Sequence, residues 1–518
     1  MAESIYAAAS AATDPVDIEA AQNIDEKETP GSTRQHKEFV NLHEYAESEG
    51  YVIDASDDGD ASAALQRAPD GHTILIPQPS DDPNDPLNWS WAAKHLMLII
   101  VACTAFLPDY GSATGAVTLI AQAAEWDMTQ DAVNHSQAGN VFMLGAGGIF
   151  VVIFAAYLGR LPVVWWSLAL ATATAAWCAG AGTFASFMAA RILNGFFSTV
   201  CQVSGLIFIQ DMFFFHERAR KINIWASFFP WPVPFWVYTA MTAACFVSTT
   251  LFLRETYYDR RIAAADQPAR GSRIQQIVGI AQFRSRHLRN SFGQAVWRTV
   301  SVILKPTVFL VCVYYVLTFA WVVGINTTLS ILLQPVYGFG VLQIGYFYFT
   351  PVVAVIFGEV AGHWLHDAVA KQYIRSHKGH FEPEVRLRAI FVSLPFMIVG
   401  IVILGQSLQH EWHYMVSSVT WGLYVFGIMI TTVAVSSYCL DSYPEASGEV
   451  SAWVNFSRTI GGFIISYFQV SWATSEGAAK SFGIQGAVMA AAFILILAIL
   501  RWGKSMRVWA GPLNFATT

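Results

Sequence analysis

Charge is scarce in this chain: Asp, Glu, Lys and Arg make up 13% of its 518 residues, against about 25% in ordinary globular domains. Length alone would suggest several soluble domains. A 54% hydrophobic content and a mean hydropathy of +0.42 exclude that reading. Cysteine is equally sparse. The six residues Cys103, Cys178, Cys201, Cys245, Cys312 and Cys439 lie in or beside apolar stretches without metal-type spacing, so neither a disulfide framework nor a zinc site is expected. They read as small packing residues. A basic region ahead of an apolar core is also missing from residues 1–20, which instead hold Asp14, Asp17 and Glu19. No cleavable leader is expected, and the N-terminal tail should stay in the cytosol.

The net charge of −7 conceals an asymmetry. Residues 1–92 hold 19 acidic against 4 basic side chains, and the rest of the chain holds 18 against 26. With few aromatics and acidic clusters such as Asp54, Asp57, Asp58 and Asp60, the tail cannot bury enough apolar surface to order itself and is expected to be disordered.

What fills the remainder is apolar sequence. Ten stretches, at 95–116, 137–158, 162–182, 184–210, 306–326, 341–364, 389–408, 413–438, 450–473 and 482–502, are each long enough to cross a ~30 Å hydrocarbon core as a helix. A helix satisfies its own backbone hydrogen bonds, which lipid cannot do, so the chain is expected to be an all-α polytopic membrane protein. Basic loops set its orientation, since Lys and Arg are retained on the cytosolic side. The segment HERARK at 216–221, the central loop at 254–305 with ten basic against three acidic residues, and the loop 371–388 all fall in the cytosol when the N-terminus does.

The block at 222–253 breaks this order. Both flanks are basic, so it must cross an even number of times, yet 32 residues cannot make two helices of ~20 residues each. Pro230, Pro232 and Pro234 interrupt it as well. One good span, 235–253, and a stub at 222–229 remain. About eleven helices are expected, with the fifth span missing.

Ionisable side chains within spans cost roughly 2.5–3.5 kcal/mol each on insertion scales, which makes each a candidate for function. Asp109 and Arg191 lie at matched depths, about seven residues from the outer ends of the first and fourth spans. A carboxylate beside an arginine in a water-lined cavity can exchange a proton. The alternatives are a structural ion pair, or Asp109 reaching a wide outer vestibule. Glu359, within Gly358-Glu359-Val360-Ala361-Gly362, sits above the cytosolic end of its span, and Arg458 occupies a similar depth. Glu359 reads as a gate or cation ligand, or as a carboxylate reaching headgroup water; Arg458 reads as a gate or as a snorkelling side chain. Tyr314, Tyr315, Trp321 and Phe347 suit a pocket for an organic molecule, and suit interfacial belts and helix packing as well. Gly145, Gly147, Gly148, Gly461 and Gly462 read as close helix contacts. Three HxxH pairs (His363 and His366, His377 and His380, His410 and His413) share the spacing of di-iron enzymes. The third maps to the opposite face from the other two, which rules out one shared centre; no metal and no cofactor is expected, and no enzyme. Asn134, in Asn134-His135-Ser136, is a glycosylation candidate on an outer loop.

Several motifs taken together resemble the fungal major facilitator superfamily, in the branch similar to twelve-span drug:proton antiporters. They are Asp85-Pro86-Leu87-Asn88-Trp89, Gly159-Arg160-Leu161-Pro162-Val163, Arg191-Ile192-Leu193-Asn194-Gly195, HERARKINIW at 216–225, Arg254-Glu255-Thr256-Tyr257-Tyr258-Asp259-Arg260, and Phe381-Glu382-Pro383-Glu384-Val385-Arg386-Leu387. The resemblance covers about residues 83–502 and implies two helix bundles rocking about a midplane site. It implies that Arg191 is linked to proton coupling and that Arg160 and Asp367 belong to inner gating motifs. The loop at Gly159 lacks the acidic residue usual in the first copy of that motif, and the Gly-Pro-rich fifth span is absent.

The resulting division is a cytosolic tail (1–92), an incomplete N-terminal bundle (93–253), the central loop (254–305), a six-helix C-terminal bundle (306–503) and a short tail (504–518). The resemblance implies a secondary transporter that exports a small organic molecule in exchange for protons. The alternative is a non-transporting receptor or an inactive truncated product. Its expected partners are that small molecule, protons and the lipid bilayer, with no nucleic acid, and a monomer is expected. The plasma membrane is the expected location and the vacuolar membrane the alternative.

Overall fold

The ten apolar stretches and the span at 235–253 all emerge as helix in the computed structural model, which describes residues 51–52, 79–80, 82–212, 235–258, 267, 271–286, 291–377, 380–511 and 513. The stub at 222–229, the prolines beside it and most of the tail lie outside the described residues. The N-terminal half contains α1 (Trp91–Glu125), α2 (Gln130–Leu158), α3 (Arg160–Ala179), α4 (Phe184–Ser198), α5 (Val200–Met212) and α6 (Phe235–Phe252). The central loop contributes three short helices, α7 (Arg273–Val278), α8 (Ile280–Arg284) and α9 (Phe292–Ile303). The C-terminal half contains α10 (Pro306–Tyr337), α11 (Val341–Phe347), α12 (Phe349–Ser376), α13 (Ile390–Gln409), α14 (Tyr414–Ser442), α15 (Ser447–Glu476) and α16 (Ala478–Ala510).

Among the described residues nine helical segments are long and apolar enough to cross a membrane, α4 and α5 forming one of them across a break at Thr199. The 18-residue α6 and the more polar 30-residue α15 complete eleven crossings. Most helices overrun the apolar stretches. α1, for example, has 35 residues, or ~52 Å at 1.5 Å per residue, so it carries its backbone hydrogen bonds well past the hydrocarbon.

The tail is folded where it reaches the bundle. Asp85 is fully buried: its carboxylate accepts from the Leu87 amide (3.0 Å) and from the Ser80 amide (3.2 Å) and hydroxyl (3.0 Å), closing the turn that leads into α1. Lys94 then donates to the Leu87 carbonyl at 2.8 Å. Order therefore begins ahead of residue 93. Further upstream, β1 (Tyr51–Val52) pairs antiparallel with β2 (His380–Phe381), Tyr51 opposite Phe381.

The halves join along α2 and α15. Lipid tails are as apolar as leucine, so close packing and interhelical hydrogen bonds hold such helices together. A side chain at Gly145 would collide with Thr459, and one at Gly148 would meet Val203 and Asn455. On the C-terminal side Gly461 and Gly462 bring α15 against Val316, Ala320 and Val323 of α10. Ser451 donates to the Val203 carbonyl at 2.9 Å, and Asn455 to the Leu144 carbonyl at 3.2 Å. Towards the other end, His135 stacks on Tyr467 and Gln130 donates to Gln334 at 3.0 Å.

Candidate functional site

Arg191 lies in α4, 1% exposed, and its guanidinium is held by neutral groups. One terminal nitrogen donates to the Gly111 carbonyl at 2.6 Å, the other to the Gln137 amide oxygen, and the Phe187 ring lies 6.0 Å away. Gly115 leaves room for this arrangement, because a β-carbon there would strike both Arg191 and Gln137. The network continues through Asn140, which donates to the Arg191 carbonyl at 2.8 Å, and Tyr238, which donates to Asn194 at 3.0 Å.

Asp109 does not join it. The expected Asp109–Arg191 pair gives way to a different one: Asp109 meets Arg458 of α15 at 3.8 Å. The reason is helical geometry. α1 presents Gly111 and Gly115 to Arg191, and Asp109, two residues before Gly111, points roughly 200° around the helix. It also falls near the middle of α1 rather than near its outer end, beside Pro108, which has no N–H to give to the carbonyl four residues back.

Around the pair, Arg458 donates to Asn455 at 3.1 Å and lies 5.6 Å from the Phe319 ring. Tyr315, hydrogen-bonded to Thr432 at 3.0 Å, is within electrostatic reach of both charges. The Asp109 side chain is 57% exposed and that of Arg458 21%. A pair this long and this open is worth at most about 1 kcal/mol. It can be broken cheaply.

Glu359 of α12 is buried, 5% exposed. Neither carboxyl oxygen has a hydrogen-bond partner among the described residues. Gly358, packed within van der Waals reach of Met429 and Phe426, lets α12 approach α14 there. The other expected pocket residues are packing elements. Tyr314 and Trp321 are buried in the core of the C-terminal half, and Phe347 stacks on Trp421 at 5.6 Å. Of these aromatics Tyr315 is the one the structure brings to the charged pair. A groove of about 400 Å³ between α12 (Phe349, Val353, Phe357) and α14 (Val419, Leu423, Phe426) has no ionisable lining. Asn134 is corrected as a glycosylation site: it lies inside α2 rather than in a loop and is fully buried, beyond the reach of a bulky modification.

The basic-loop ends of both halves are tied by charge. Gly159, at φ 95°, turns the chain sharply from α2 into α3, a conformation that glycine adopts without steric penalty. Arg160 then pairs with Asp211 at 2.5 Å, and Glu255 accepts from the Arg160 and Leu161 amides at 3.2 and 3.3 Å. A carboxylate at a helix N-terminus satisfies free amides and complements the helix dipole. In the C-terminal half, Arg386 pairs with Asp441 at 2.9 Å and Arg507 grips Glu384 with two bonds of 2.9 Å. Glu382 is bonded by Lys504 at 3.2 Å and Tyr373 at 3.0 Å. Desolvation pushes the Glu382 carboxyl up, but these bonds outweigh it and hold the group below the usual carboxylate range. Asp367 lies half-buried at the inner end of α12, close to His366.

A family model described as Major Facilitator Superfamily matches residues 98–466. The chain belongs to the major facilitator superfamily. Among curated relatives, the MFS-type transporter penM of Penicillium rubens is 22% identical over 422 residues, covering 74% of this chain and 80% of the relative. The MFS-type transporter hepF of Aspergillus oryzae is 23% identical over 467 residues, covering 82% and 92%. Among solved structures, the proton:xylose symporter XylE bound to 6-bromo-6-deoxy-D-glucose aligns with a TM-score of 0.56 at 13% identity, covering 82% of this chain and all of that one. This protein is thus a fungal-type facilitator, a transporter in the membrane.

Sequence reasoning missed several residues of the facilitator's inner ties. Arg160, Glu384 and Arg386 stand inside motifs noted above, but their partners Asp211, Arg507 and Asp441 carried no signal. The missing acidic residue at Gly159 has a structural answer, since Asp211 supplies the charge from the end of α5.

Proposed function

We propose that this facilitator exports a small organic molecule across the plasma membrane in exchange for protons, by alternating access, with Asp109, Arg458, Arg191 and Glu359 as its coupling residues. The carrying observation is the Asp109–Arg458 pair at 3.8 Å, which joins the two halves part-way through the bilayer. A pair between two bodies that rock apart must open in each cycle, and protonation of Asp109 removes the attraction that closes it. Glu359, buried with no hydrogen-bond partner among the described residues, supplies a second place for a proton. Arg160 and Asp367 act at the inner gate.

The test begins with a transport screen of deletion cells expressing the chain with and without a further span of about 20 apolar residues inserted between Phe229 and Pro230. For any compound found, Asp109→Asn is expected to abolish the response of its flux to collapse of the pH gradient, with unchanged protein in the membrane. Unaltered coupling in that variant sinks the role given to Asp109. Orientation is tested separately. In intact cells a cysteine placed at the exposed Ser272 should escape an impermeant thiol reagent, and it should react once the cells are permeabilised. Labelling in intact cells would reverse the topology.

A second reading has its own observation. The 32 residues at 222–253 lie between basic flanks and cannot hold two helices of about 20 residues each, which favours a product lacking its fifth span and therefore impaired in transport.

A further inference from the structure

The helix α9 has two opposed apolar faces. Ala295, Thr299 and Val302 are buried against the inner ends of α2 and α15. Trp453 donates to the Thr299 carbonyl at 2.7 Å, Arg298 pairs with Glu449 at 2.9 Å, and Phe292 lies about 6 Å from the rings of Phe154 and Tyr157. At roughly 100° per residue, Trp297, Val300 and Leu304 fall within about 60° of one another on the opposite side. They are 64%, 39% and 66% exposed. Gln294 and Ser301 lie between the two faces.

The second face has a position as well as a composition. α9 ends at Ile303 and the span α10 begins at Pro306, where Lys305 donates to the Ala510 and Gly511 carbonyls at 2.6 and 2.7 Å. The helix therefore lies at the level where spans leave the hydrocarbon. The front of the loop repeats the pattern: Ile274 and Phe283 are exposed, and the half-exposed Trp166 of α3 reaches the Val278 carbonyl at 3.5 Å. Arg284 and Arg286 are exposed beside them, Arg286 over the Phe283 ring at 4.8 Å. Apolar side chains flanked by arginines are what an interfacial helix presents to an anionic leaflet.

We propose that the central loop lies on the cytosolic leaflet, with Trp297, Val300 and Leu304 sunk among lipid headgroups, and that it binds anionic phospholipid through Arg284 and Arg286. α9 touches α2 of one half and α15 of the other, so the lipid seat sets the place where the halves meet at their inner ends. The proposal rests on the loop's place beside the membrane and is independent of transport.

The test uses the full-length chain in nanodiscs of phosphatidylcholine, with or without phosphatidylserine. A nitroxide is attached at Val300→Cys or at Gln294→Cys, with the unsubstituted chain as background. The Val300 label should be several-fold more accessible to oxygen than to a nickel chelate, and the Gln294 label the reverse. Phosphatidylserine should raise the oxygen preference at Val300, and the pair Arg284→Gln and Arg286→Gln should remove that response. A Val300 label as open to nickel as the Gln294 label overturns the membrane seat. A Val300 label shielded from both reagents means that protein covers the face, a second copy or another partner, and overturns it too. An undiminished phosphatidylserine response in the double arginine variant overturns the anionic-lipid site.

Discussion

Arg507→Ala is expected to destabilise the C-terminal half by about 3–5 kcal/mol, because it strands a buried carboxylate. Glu384 and Arg507 are 9% and 12% exposed and share two bonds of 2.9 Å, and Gly503 makes the room, since a β-carbon there would lie 2.8 Å from the Glu384 carboxylate. Adding Glu384→Gln to Arg507→Ala removes the stranded charge and should return much of the loss. Lys504→Ala serves as the comparison. Lys504 meets Glu382 in an exposed pair (51% and 31%), and such pairs contribute about 0–1 kcal/mol. Thermal unfolding in detergent would measure all three, and equal midpoints for the single and double Arg507 variants would contradict the buried-charge account.

The second large effect is on flux. Five crossings precede the central loop among the described residues: α1, α2, α3, the pair α4–α5, and α6. The sequence at 222–253 has room for one full crossing, and a single crossing there would put the ten basic residues of that loop on the side opposite the tail, against the cytosolic place their charge calls for. A bundle short of one helix also opens polar cavity residues and backbone to lipid. We expect the 518-residue chain to transport at or near background, and a form carrying one further span of about 20 apolar residues between Phe229 and Pro230 to regain flux. That junction lies outside the described residues. Robust substrate-specific flux by the 518-residue chain would refute the impairment, and an uninterrupted transcript across the junction would remove an omitted exon as its cause.

The spans were legible because hydropathy over twenty residues does not depend on which face of a helix points where. The site was less so, because its chemistry depends on that face. Counting gives Asp109 and Arg191 one depth, but α1 runs on to Glu125, turns Asp109 towards Arg458 and gives Arg191 a glycine carbonyl instead. Depth can be counted from a sequence only where a helix ends with its apolar run; azimuth cannot be read without knowing the neighbours. Asn134 failed for a related reason: its acceptor pattern holds in an exposed loop, and α2 begins at Gln130, four residues before it. The glycines were legible, since Gly145, Gly148, Gly461 and Gly462 mark helix contacts whatever lies opposite. The inner ties were half legible: motifs marked one member of each pair, while the other came from the end of a distant helix.

The strand Tyr51–Val52 is tied to His380–Phe381 through main-chain pairing, and such pairing reads few side chains. A tail docked in this way can drift in sequence over evolutionary time and still find the same edge. Proline at a bonded position, which withdraws the N–H, would break it.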